Sequence, residues 1–166
     1  MAASSSSVVM RMSCPGRTIT IAGLVSGALD ITAAFVTWAP QGVPPVVILK
    51  GIASGVLGSK AFHGGTGTAA LGLALHFLIA FTATAVFYWT SRKLHWMVRR
   101  PFVSGVLYGI AVYFFMNWIV LPLSRNVRPP FSISRNIVAA VTLIVCIGLP
   151  ISLIVHRFSA PLSDHE

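Results

Sequence analysis

The chain has 166 residues, 55% of them hydrophobic and 9% charged, with a mean hydropathy of +0.84. A soluble domain carries about a quarter charged residues, so most of this length is excluded from a water-soluble fold. Twelve Lys+Arg stand against three Asp+Glu; on so apolar a chain these cations suit phospholipid headgroups, and no nucleic-acid partner is expected.

Residues 1–17, with the serine run 4–7, predict a disordered cytoplasmic tail. The apolar run at about 18–38 follows. It contains Asp30 and reaches Trp38, Pro40 and Gly42 without a clear small-residue cleavage site, so it reads as an uncleaved membrane helix rather than a signal peptide. Three further apolar runs lie at about 68–90, 102–123 and 136–156. At about 1.5 Å rise per residue each crosses a hydrocarbon core of about 30 Å. Backbone polar groups must be satisfied internally in lipid, so all four runs are helices. The expected fold is all-α, a four-helix transmembrane bundle spanning 18–157 as one domain, followed by a cytoplasmic tail at 158–166. Cys14 in the tail and Cys146 inside a helix are not placed to pair.

The connection 39–67 is the least routine segment. Pro40, Pro44 and Pro45 open it, and Gly64 and Gly65 close it. Between them Val46, Leu49, Ile52, Ala53, Val56 and Leu57 fall on one helical face, with Lys50 and Lys60 as basic elements. That pattern predicts an amphipathic helix over about 45–62, interfacial or re-entrant, on the extracytoplasmic side. In the fourth run, Pro150 predicts a kink after Gly148.

Basic residues set the orientation. With a cytoplasmic N-terminus, Arg92, Lys93, Arg99 and Arg100 crowd the short loop between the second and third helices, where positive charge is retained inside most strongly. Both termini are therefore expected in the cytoplasm.

Polar groups at depth carry the functional signal. A central carboxylate such as Asp30 costs about 2.5–3.5 kcal/mol to insert. It shares a stripe with Gly23, Ser26, Gly27 and Ala34 that permits close approach of another helix. Counted at helical rise, Asp30 lies about 18 Å from the cytoplasmic end and His76 about 12 Å from the opposite end, nearly the same level. Asn117 follows the Gly105/Gly109 stripe a little further out. Asp30, His76 and Asn117 form the candidate intramembrane polar cluster, either a proton or substrate site or a set of interhelical hydrogen bonds. His63 reads as a loop residue, and His95 and His156 as part of the basic belt. With only His76 at depth, and no metal-spaced His/Cys set, no haem, metal or other cofactor is expected. Catalytic residues are likewise not expected, for want of paired carboxylates or a nucleophile–base set at one depth.

The segments Ile52-Ala53-Ser54-Gly55-Val56-Leu57-Gly58, His63-Gly64-Gly65, Gly72-Leu73-Ala74-Leu75-His76-Phe77 and Met116-Asn117-Trp118-Ile119-Val120-Leu121-Pro122-Leu123-Ser124 resemble stretches of small bacterial four-helix inner-membrane proteins of unknown function, similar in layout to the YagU-like proteins. The resemblance covers most of the chain after residue 20. It implies a bacterial inner membrane and supplies no catalytic residues. The expected role is a non-enzymatic multi-pass membrane protein, a small transport component or an assembly partner. Its partners are the lipid bilayer and possible further copies of itself as a homo-oligomer. The alternatives are a proton-linked carrier or channel using Asp30 and His76 and, less favoured, a membrane-embedded enzyme.

Overall fold

The computed structural model describes residues 14–123 and 132–159. Its helices are α1 (Pro15–Trp38), α2 (Pro45–Leu57), α3 (Lys60–His63), α4 (Thr66–Lys93), α5 (His95–Arg99), α6 (Pro101–Phe115), α7 (Leu121–Leu123), α8 (Ile133–Leu143) and α9 (Leu149–Ser159). A 3-10 turn, Ala39–Gln41, extends α1; π-helical turns Met116–Val120 and Ile144–Gly148 join α6 to α7 and α8 to α9. Four helices are long and apolar enough to cross a membrane: Pro15–Gln41, Thr66–Lys93, Pro101–Val120 and Ile133–Ser159. The expected all-α four-helix bundle is the fold, and it is that of a multi-pass membrane protein.

Some boundaries differ from expectation. Proline suits the first turn of a helix, so α1 begins at Pro15, and 15–17 are helical rather than part of the tail. Residues 158–159 likewise belong to α9. The rest of both expected tails, 1–13 and 160–166, lies outside the described residues. The single helix expected over 45–62 is two helices, because Gly58 takes φ 65°, a left-handed conformation that L side chains rarely adopt. His63 is then the last residue of α3 rather than a loop residue. Gly42, at φ 70°, ends the 3-10 turn in the same way.

Each π-helical turn sits two residues before a proline. Pro122 has no N–H for the Trp118 carbonyl, and Leu121 N–H bonds the Met116 carbonyl instead of that of Asn117. Leu149 N–H bonds the Ile144 carbonyl in the same manner, ahead of Pro150. The disturbance expected at Pro150 therefore takes the form of a widened turn just before it.

Small residues decide which helices approach closely. A Cβ on Gly23 would meet the Phe81 ring, and one on Gly27 would lie 2.8 Å from Phe77 and 3.2 Å from Ala80. These contacts seat α1 on α4. Gly105 and Gly109 face Gly148 and Ile144 and seat α6 on the fourth helix. Gly72 admits the Leu49 carbonyl, which lets α2 lie along α4. All these glycine stripes are therefore used inside the chain. Buried hydroxyls bond back to their own helices, Ser26 to Ala22 O at 2.7 Å and Thr84 to Ala80 O at 2.8 Å, so their burial leaves no donor unmatched.

The two ends of the bundle differ. At the α5 end Phe87, Tyr88, Met97, Ile147, Ile151 and Val155 form a closed core. There a ring nitrogen of His156 donates to Val98 O at 2.6 Å, and the Arg17 guanidinium lies 5.7 Å from the centre of the Phe158 ring. Both ends of the described chain thus lie on that side. At the α2 end none of the residues of α8 or of Met116–Val120 is buried. The bundle is tight at the α5 end; at the other it is splayed along the third and fourth helices, while α2 packs on α4 and buries Ala53 and Ser54.

Candidate functional site

The splayed end holds two adjoining cavities. The outer one, about 770 Å³, is a cleft between α2, the first half of α4 and the end of the third spanning helix; its walls include Trp38, Val43, Gly55, Leu75, Phe115 and Ile119. It is almost wholly apolar. The inner one, about 260 Å³, is lined by Asp30, Ile31 and Ala34 of α1, by His76, Ala80 and Ala83 of α4, and by Val112, Leu143 and Ile147. It has room for about eight waters at the volume each occupies in the liquid. Ile48, Ile52, Ile79 and Met116 line both cavities and so form the partition between them.

Asp30 and His76 reach the inner cavity from facing helices because the Gly23/Gly27 stripe brings α1 close to α4. His76 Nε2 lies 2.9 Å from Gly27 O. A carbonyl oxygen only accepts, so Nε2 carries the proton and donates. The imidazole is thereby fixed in orientation, and Nδ1 is left for a second interaction. The Asp30 carboxyl and the His76 ring interact electrostatically, and Cys146 feels the Asp30 charge from the π-helical turn of the fourth helix. Asp30 is the only acidic side chain among the described residues. It is half-buried and forms part of the cavity wall.

Asp30 and His76, expected at nearly the same level, both line the inner cavity. Asn117 is separate from them. Its amide Nδ2 donates to Tyr113 O of its own helix at 2.9 Å, and the neighbouring Met116 lines the cavity in its place. Cys146 and the four partition residues carried no sequence signal as single residues. The prolines two positions after each π-helical turn were the available clue.

Both cysteines are free. Among the described residues no group of three His, Cys, Asp or Glu side chains is placed to hold a metal ion. The chemical capacity of the site is thus one carboxyl and one oriented imidazole on the wall of a small cavity that adjoins an apolar cleft. Comparison with protein-family models, with curated proteins and with solved structures gives no match to this chain.

Proposed function

We propose that this protein is a small, non-enzymatic transport component of a bacterial inner membrane, with both termini cytoplasmic, and that Asp30 and His76 form its proton-linked site. One observation carries the reading: the only acidic side chain among the described residues lines a cavity beside a histidine. A carboxylate kept only to join helices would be spent on a neighbouring helix, whereas intramembrane ionisable groups that face an internal space mark ion and substrate paths. The closed α5 end and splayed α2 end support the same reading, because alternating access needs a site open to one side at a time. The orientation rests on Arg17, Arg92, Lys93, Arg99, Arg100 and Arg157, which gather toward the closed end. In that orientation α2 is the extracytoplasmic interfacial or re-entrant helix.

The test is infrared difference spectroscopy of the reconstituted protein across pH, comparing wild type with Asp30→Asn and His76→Gln. The proposal expects a carboxyl band that changes with pH, vanishes in Asp30→Asn and moves in His76→Gln. A carboxyl signal that stays constant from acid to alkaline pH would reduce the pair to a helix–helix contact and remove the transport reading. A membrane assembly partner is the second reading. It is favoured by α8, none of whose residues is buried within the chain and whose apolar surface is left for another copy or another membrane protein.

A further inference from the structure

We infer that the two cavities together form a site for an amphipathic cation, a long-chain ammonium whose head meets Asp30 and whose tail lies in the outer cleft. The inference rests on the transport reading and names the class of substrate.

Charge selects the head. Asp30 is the only acidic side chain among the described residues, and no lysine or arginine lines the inner cavity with it. His76, whose Nε2 donates to Gly27 O, holds its ring against the α1 backbone beside that carboxyl. An ammonium has three N–H donors and no acceptor, so a carboxylate complements it. An anionic head would meet the same carboxylate as repulsion.

Shape and polarity select the tail. The outer cleft, about 770 Å³, falls within the range of ligand pockets and has a nearly uniform apolar lining. It adjoins the head cavity across Ile48, Ile52, Ile79 and Met116. Three of these are aliphatic side chains, and Met116 is an unbranched thioether that adapts its shape readily. A head group entering from the cleft displaces side chains there, not backbone.

A proton and an ammonium compete for one carboxylate, so binding weakens as the pH falls. The titratable groups facing that carboxyl are His76 on α4 and Cys146 on the fourth helix; α2 and α6 bring only Ile48, Ile52 and Val112 to the cavity.

The probe is 12-bromododecylammonium, with 12-bromododecanol and 12-bromododecanoate as neutral and anionic counterparts. Bromine quenches indole fluorescence on contact. Replacing Trp89, Trp96 and Trp118 by Phe leaves Trp38, a wall of the cleft, as the only tryptophan. In phosphatidylcholine nanodiscs the ammonium is expected to quench Trp38 saturably, with at least tenfold higher affinity than the alcohol or the carboxylate. Asp30→Asn is expected to remove that preference while keeping the weaker quenching by the alcohol. Equal quenching by ammonium and alcohol on the unaltered site would overturn the inference and leave the cleft a groove for neutral lipid. That comparison needs no Asp30 variant, so misfolding of Asp30→Asn does not blunt it. A pH-dependent carboxyl band together with no charge preference would refute this substrate class and leave the proton-linked site standing; loss of the band as well would refute both.

Discussion

Replacing Gly148 by alanine tests whether the third and fourth helices are held by backbone contact. A Cβ at this position would collide with Gly105 O and lie 2.8 Å from Gly109 N and 3.0 Å from Gly109 Cα. The three nearest atoms are all backbone, so no rotamer change relieves those contacts and the helices must separate. Overpacking of this kind costs about 1–3 kcal/mol, and rigid backbone partners place it near the upper figure. Alanine in a helix returns about 0.8–1 kcal/mol relative to glycine. The net loss is therefore about 2 kcal/mol, on the order of thirtyfold in the unfolding equilibrium. A methyl group added at Gly67 on α4 would have nothing within 4 Å, so Gly67→Ala keeps only the propensity gain and serves as the control. Reversible unfolding in mixed micelles, or steric trapping in bilayers, reads the difference. Gly148→Ala matching Gly67→Ala in stability would refute the claim that backbone approach at this crossing joins the two helices.

Tyr108→Phe removes the hydroxyl that donates to Ala83 O at 2.6 Å but keeps the edge-on contact with Phe87, whose ring centre is 4.9 Å away. Interhelical hydrogen bonds in bilayers average about 0.6 kcal/mol and reach about 1.7, so a loss of about 0.5–1.5 kcal/mol is expected in the same unfolding assay; a loss near 3 would mean that the hydroxyl holds more than this single bond. For the splayed end, thiol labelling of single-cysteine chains, with Cys14 and Cys146 replaced by Ser, compares Ala34→Cys in the cavity wall with Ser26→Cys, whose native side chain is 0% exposed. A small maleimide is expected to react at least about tenfold faster at position 34, and equal rates would show that the cavity wall is no more accessible than the packed face of α1.

Hydropathy and chain length determined the fold class, because about twenty apolar residues in lipid leave the backbone no alternative to helix. The same arithmetic matched Asp30 with His76, since a fixed rise per residue converts position into depth. Positions whose environment is set by other helices were not legible. The break at Gly58 depends on a backbone angle, and the loss of Asn117 from the cluster on how its helix is rotated against its neighbours. Glycine stripes announced close packing, but only the tertiary structure decided that Gly105 and Gly109 meet Gly148 and Ile144 rather than another chain. The cavity itself is likewise a tertiary property: side chains from α1, α2, α4 and the third and fourth spanning helices meet around Asp30, and no single segment of sequence encodes the space between them.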